Sequence, residues 1–362
     1  MVLLDYGPID STRFNNYSQQ ARKIFIQSKS INRNLINVAL IGAGNFATAV
    51  HLPNIQNKLS SKYNLYSVID KEGQRARAVA QKYGAAYAST NFEDVLNDEN
   101  VDLILICTRH DSHGDLVMKA LKAGKNVFVE KPLATNLQEL EEIEKFYSEE
   151  SLENKPLLMV GFNRRFSKYA QEIKKHTNQR INPLFILYRM NAGYAPADDW
   201  TQLNGGRIIG EACHQIDLVS FFTGAKIQSV SFESLTPKTE KFSESDNKSI
   251  ILKYKDGSLA TVEYLSCGHE KLPKEYLEIH FDGKTIVLKD FKSLSGYGLN
   301  IARLTTAQSE KGHLEELERL FKTLKGIEAE WPITLEEMLE VTAVTIQIVD
   351  QAGEFSRTKS KC

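Results

Sequence analysis

The sequence predicts an α/β protein in two parts: an amino-terminal doubly wound parallel sheet and a carboxy-terminal α+β domain with an open, mostly antiparallel sheet. Three observations predict it. Between residues 36 and 132, short continuous apolar runs alternate with helical segments, as expected of parallel strands buried on both faces and joined by right-handed crossovers. From residue 183 onward, alternating runs follow one another around Asp256-Gly257 and Asp282-Gly283, which are dipeptides of tight hairpins. The length, 362 residues, exceeds what one hydrophobic core usually supports.

Residues 1–35, with the polar stretch STRFNNYSQQ, show no clean period and read as an N-terminal extension. The domain that follows, 36–155, begins with the strand NVALIG and a helix from about Asn45 through LPNIQNKL. It continues with the strand YNLYSVID, the helix GQRARAVAQKYG, the strand VDLILICT, the helix GDLVMKALKAG and the strand NVFVEKP. In the second domain, 156–352, the strands are PLFILYRMNAG, KIQSVSFESL, SIILKYKDGSLATVEYLS and EYLEIHFDGKTIVLKD. Two final helices, HLEELERLFKTLKG and TLEEMLEVTAVTIQIVDQA, carry apolar residues at helical spacing and are expected to pack back on the body.

Composition narrows the partners. A hydrophobic share of 42%, a charged share of 25% and a formal net charge of -1 give no field that would gather nucleic acid or an anionic membrane. The longest apolar runs are far shorter than a bilayer span, and MVLLDYGPID lacks the features of an export signal. Four scattered cysteines (Cys107, Cys213, Cys267, Cys362) suggest neither a disulfide framework nor a structural metal site. A cytoplasmic protein with a small-molecule partner and no metal is the expectation.

The turn GAGNFA, residues 42–47, follows the first strand and opens a helix, which is the context of a dinucleotide site in a Rossmann domain. Gly42 permits the tight turn, Gly44 lets the backbone approach a pyrophosphate, and Ala47 takes the third small position; Ala43, Asn45 and Phe46 complete the surface offered to the cofactor. The helix amino end presents free N–H groups to phosphate oxygens. Asp70, ending the second strand, is placed to accept from ribose hydroxyls and to repel a 2′-phosphate, so NAD is expected over NADP, with the adjacent Lys71 pulling toward NADP.

Residues 101–143, VDLILICTRHDSHGDLVMKALKAGKNVFVEKPLATNLQELEEI, closely resemble the glucose-fructose oxidoreductase / inositol dehydrogenase (Gfo/Idh/MocA) family. The likeness continues through MVGFNRRFSKYA and GGRIIGEACHQIDLV and spans roughly residues 36–350. Within the family, TRHDSH, GFNRRFS, NAGY and GGRIIGE.CH look like the C-terminal half of bacterial two-part dehydrogenases, which lies behind a zinc-type alcohol dehydrogenase half. MVLLDYG then reads either as the end of such an upstream half or as a short extension of a stand-alone form.

The resemblance implies an NAD(P)-dependent oxidoreductase moving a hydride between nicotinamide and a hydroxyl carbon of a sugar, cyclitol or sugar derivative. Its rivals are an NAD-dependent glycosidase of the same family and a non-catalytic dinucleotide-binding regulator. It implies that Thr108, His113 and Glu130 line the cofactor crevice, and that Lys131 contacts both cofactor and reacting hydroxyl. His214 becomes the alternative acid/base, while Arg165, Glu211, Asp217 and Tyr194 bind substrate. One position departs from the pattern: many members carry Asp four residues before the His, and here that residue is Gly210, with Glu211 next to it. The family also implies a dimer or tetramer through the open sheet, where Ile251, Leu252, Tyr254, Leu259, Val262 and Tyr264 place apolar groups on both alternations.

Overall fold

Every residue of the strand Ile36–Ile41 is buried, as its unbroken apolar run requires of a strand covered on both faces. In the computed structural model, which describes residues 23–27, 32–149, 155–202 and 206–359, this strand is central to the first of two compact units. That unit comprises the described residues up to Thr108 together with Lys119–Val127. Its strands are β1 (Lys23–Phe25), β2 (Ile36–Ile41), β3 (Tyr63–Ile69), β4 (Tyr87–Ser89) and β5 (Leu103–Ile106), in the spatial order β1-β4-β3-β2-β5. All neighbours are parallel except β1 against β4.

The chain winds outward from β2 through β3 to β4 and then returns to the other side of β2 as β5. The direction of winding therefore reverses between β2 and β5, and the carboxyl ends of these two strands bound the crevice where open α/β sheets take ligands. The helix after β2 starts at Asn45 and contains two π-helical stretches, Ala47–His51 and Asn54–Lys58. The helix Gly73–Tyr83 buries Ala76, Val79 and Ala80 and ends on Gly84. Within the expected N-terminal extension, β1 forms an antiparallel edge strand, while residues 1–22, including MVLLDYG, and residues 28–31 lie outside the described residues.

The strand β6 (Asn126–Val129) and the helix His113–Lys122 both cross the line between the units. The second unit, Arg109–Met118 and Phe128 onward, contains β7 (Leu158–Val160) and a seven-stranded sheet. That sheet comprises β8 (Phe185–Asn191), β9 (Ile227–Ser234), β10 (Asn247–Tyr254), β11 (Leu259–Leu265), β12 (Glu275–Phe281), β13 (Lys284–Lys289) and β14 (Ser293–Tyr297), ordered β14-β13-β12-β8-β11-β10-β9. Only β8 and β11 run parallel; the other pairs are antiparallel. The hairpin between β12 and β13 turns on Asp282 and Gly283, both at positive φ (48° and 70°), the backbone of a type I′ turn.

One face of this sheet carries Tyr188, Leu252, Tyr254, Val262, Tyr264 and Ile279, all fully buried. The opposite face is open: Phe185, Leu187 and Ile251 are exposed. The helix Cys213–Thr223 is buried on nearly all sides, and the last helix, Leu335–Lys359, lies against it and buries Met338, Val341, Thr342 and Thr345.

Candidate active site

The glycine turn is built by the strands that flank it. Gly42 N–H donates to Ile69 O at 2.8 Å, and Cys107 N–H donates to Ile41 O at 2.7 Å, so β3 and β5 both grip the end of β2. Gly42 has φ +86°, and a Cβ there would meet the Cys107 carbonyl oxygen at 2.8 Å and the Thr108 nitrogen at 2.9 Å. Only glycine satisfies both the backbone conformation and the space. Gly44 is different in kind: a Cβ added there meets nothing within 4 Å. Beside the helix amino end, that open space fits the approach of a pyrophosphate. Ala43 is buried, Asn45 and Phe46 are exposed, and Ala47 is wholly buried where helix and sheet pack.

Asp70 takes a larger part in this turn than its position alone suggests. Its Oδ2 accepts from Ala43 N–H at 2.8 Å and Arg75 Nε at 3.0 Å, while Oδ1 accepts from Glu72 N–H at 2.9 Å and Arg75 Nη2 at 3.0 Å. Burial works to raise this carboxyl, but the bonds from Arg75, Glu72 and Ala43 prevail and hold it below the usual carboxylate range. Asp70 therefore fixes the glycine turn, and its own charge is paired with Arg75.

The second unit holds the polar residues of the Glu-Lys-Pro turn. His113 is completely buried, and its Nδ1 lies 2.6 Å from Pro132 O, so this nitrogen carries the proton and donates it. Glu130 is buried against Gly161. Lys131 donates through Nζ to the carbonyl oxygen of Gly210 at 2.6 Å. Gly210 stands in a π-helical stretch, Ile208–Ala212, that leads into the helix carrying His214 and Asp217.

His214 is buried, its ring edge-on to Phe162 with centroids 6.3 Å apart, and its Nδ1 has no hydrogen-bond partner among the described residues. Burial first, then the nearby charges of Arg164 and Lys131, push its pKa well below the usual histidine value, so the ring is neutral. Asp217 and Arg165, both expected to face substrate, are brought together onto each other. Arg165 Nη2 and Nε donate to the two Asp217 oxygens at 2.5 and 3.1 Å, and Nη1 reaches Glu337 at 3.1 Å. Burial raises the Asp217 carboxyl to about 6, against the pull of Arg165.

Arg164 likewise forms a two-pronged pair with buried Glu275 at 2.9 and 3.0 Å, and Tyr188 and Lys311 donate to the same carboxylate at 2.6 and 2.5 Å. Glu211 accepts from Tyr264 at 2.6 Å and Lys274 at 2.8 Å and pairs with Arg207 at 3.3 Å. Burial raises its carboxyl, but Lys274 leads the opposing charges and hydrogen bonds that bring it down to about 2. Tyr194 is exposed, edge-on to Phe242.

His110, which carries no signal of its own in the sequence, explains the glycine at 210. A Cβ on Gly210 would lie 2.5 Å from His110 Cε1 and 3.1 Å from Nδ1. The ring is buried and stands edge-on to Trp200 at 5.4 Å and His113 at 6.0 Å. Histidine at 110 and glycine at 210 are two halves of one packing solution, and only the fold brings them together.

With this geometry in place, comparison with known proteins decides the family. Residues 36–162 match the Gfo/Idh/MocA model described as an oxidoreductase family with an NAD-binding Rossmann fold, and residues 184–287 match the C-terminal domain model of the same family. The chain belongs to the Gfo/Idh/MocA family. It is thereby one of a family of NAD-binding oxidoreductases. Among curated relatives, myo-inositol 2-dehydrogenase of Thermotoga maritima is 27% identical over 233 residues, 63% of this chain and 68% of that protein. The scyllo-inositol 2-dehydrogenase (NAD(+)) of Bacillus subtilis is 28% identical over 63% of this chain and 66% of that protein. The matched stretch thus spans about two thirds of each relative's length. Levoglucosan dehydrogenase, solved with NADH and L-sorbose, shares the fold with TM-score 0.74 at 18% identity, covering 89% of this chain and 97% of that one.

Proposed function

We propose that this Gfo/Idh/MocA protein is an NAD-dependent dehydrogenase of a polyhydroxylated ring, a cyclitol, sugar or sugar derivative, with Lys131 and His214 as its catalytic residues. Residues 36–155 serve the dinucleotide and residues 156–352 the substrate. The observation that carries the reading is the partner of Lys131. Arg164, Arg165, Arg207 and Lys311 are each paired with a carboxylate, whereas the Lys131 ammonium bonds only to a neutral carbonyl among the described residues. A cation without a counter-charge is suited to a developing alkoxide.

NAD, when bound, supplies the carbon that takes up the hydride. Gly42, Gly44 and the helix amino end would hold its phosphates, with Ala43, Asn45 and Phe46 beside them and Thr108, His113 and Glu130 as the further cofactor contacts. Lys131 steadies the substrate oxygen as its proton leaves, and the neutral His214 ring is the group that takes up that proton. Arg165 and Asp217, as a buried pair, hold the helix of His214 in place; Glu211 and Tyr194 border the substrate side.

Asp70, a charged carboxylate at the end of β3, favours NAD over NADP by repelling a 2′-phosphate. Tighter binding of NADP(H) than NAD(H) in a fluorescence titration would defeat this part. The exposed Phe185, Leu187 and Ile251 on the open sheet face are covered by a second copy in the same reading, and a monomeric mass in light scattering at micromolar concentration would count against it. No helix among the described residues is long and apolar enough to cross a membrane, and a cytoplasmic location belongs to the proposal.

The deciding experiment is incubation with NAD and a panel of inositols, aldoses and anhydrosugars, following absorbance at the reduced-nicotinamide band. Stoichiometric NADH formation with at least one polyol is expected. Glycoside cleavage without net NADH would favour a glycosidase, and binding of NAD without any turnover would favour a regulator.

A further inference from the structure

Gly210 needs to be glycine for a reason that lies outside its own backbone. Its φ is ordinary, so a side chain would be tolerated by the helix, but the space where that side chain would go belongs to His110. The imidazole stands edge-on to Trp200 and to His113, at centroid distances of 5.4 and 6.0 Å, and a side chain at 210 would have to displace it from those contacts. The carbonyl oxygen of Gly210 accepts from Lys131 at 2.6 Å. His110 and Lys131 thus meet at Gly210, one against its α-carbon and one on its oxygen. No hydrogen bond engages the His110 ring nitrogens among the described residues, although the side chain is buried. The ring nitrogens are not among the sealed, unpartnered atoms of the described residues, so a ligand can reach an imidazole that no protein group engages.

We propose that His110 is a further specificity-determining residue, its imidazole filling the space of a side chain at 210 and offering a ring nitrogen to a substrate hydroxyl at the end of Lys131. Burial, then the charges of Lys131 and His113, lowers its pKa to about 3, so at neutral pH one nitrogen donates and the other accepts, which suits a hydroxyl. A carboxylate in this place would instead only accept and would pair with the ammonium.

The substrate half of this inference rests on the dehydrogenase reading; the packing half does not. The packing half is tested by melting temperature in the full-length protein without substrate. Gly210→Ala is expected to lower it by at least about 3 °C in the native background and by less than about 1 °C when His110→Ala is also present. Equal losses in both backgrounds would overturn the pairing. The substrate half is tested with NAD and whichever polyol of the panel the native protein oxidises. His110→Ala should raise KM about tenfold or more with a smaller change in kcat, and His110→Asn, which keeps a donor and an acceptor, should recover most of the loss. Unchanged KM in His110→Ala overturns the role at the substrate. A native protein that oxidises no polyol overturns the dehydrogenase reading and the substrate half with it, while the melting comparison still decides the packing.

Discussion

The ammonium of Lys131 donates to the carbonyl oxygen of Gly210 at 2.6 Å, and this single bond ties the Glu-Lys-Pro turn to the segment that leads into the helix of His214. A lysine held by a carbonyl keeps its charge available to an incoming oxygen. Lys131→Met removes the charge and keeps most of the volume. Turnover should fall by roughly 10² to 10⁴ while NAD affinity stays within about twofold. His214→Ala should show the same pattern. Full activity in Lys131→Met would refute its assignment.

The two glycines of the turn make opposite predictions. Gly42→Ala forces a side chain into the backbone of Cys107 and Thr108 at positive φ, so the melting temperature should fall by at least about 4 °C, with NAD binding lost as a consequence. Gly44→Val enters open space, so the protein should melt within about 1 °C of native but bind NAD at least about tenfold more weakly. Native NAD affinity in Gly44→Val would show that the space is not used by the cofactor.

These contrasts mark what the sequence makes legible. The parallel strands, the glycine turn and the Asp282-Gly283 hairpin were readable because each depends on local periodicity or on a backbone conformation that few residues adopt. The partners of the arginines were not. Arg164 and Arg165 adjoin in sequence, yet Glu275 takes one while Asp217 and Glu337 take the other, partners that lie 52 to 172 residues away and that no local pattern joins to them. The family resemblance exposed Gly210 as a departure, but its cause is the ring of His110, and only the fold places that ring. The strand β1 leaves no signal in the sequence, because three residues carry no period.

The Arg165–Asp217 pair supports a stability prediction. Arg165→Met strands a buried carboxylate, which costs on the order of 3–5 kcal/mol at neutral pH and should show as a lower urea midpoint. Because burial already raises Asp217 to about 6, its protonation should relieve part of the deficit, so the loss should be smaller at pH 5 than at pH 8. The double variant Arg165→Met/Asp217→Leu should regain stability. A deficit of the same size at both pH values would mean that Asp217 is not the group left stranded.

Three histidines, His110 and His214 buried and His313 half-buried, contribute to the acid limb of stability. His110 is held to about 3 and His313 to about 4, and His214 lies well below the usual value, in each case chiefly through burial. Unfolded histidine takes a proton near pH 6.5, whereas these native rings refuse one until the pH is far lower. Between those values the unfolded state binds more protons, so stability is full above about pH 6.5 and declines as pH falls, by up to about 1.4 kcal/mol per pH unit for each ring. His313 is the ring to test, since it lies outside the proposed catalytic pair and makes replaceable contacts with Asn163 and Glu316. His313→Gln should give a melting temperature that falls less steeply from pH 6.5 to pH 4 than that of the native protein, with the two curves converging in slope above pH 7. Parallel curves across the whole range would show that His313 titrates alike in the folded and unfolded chains.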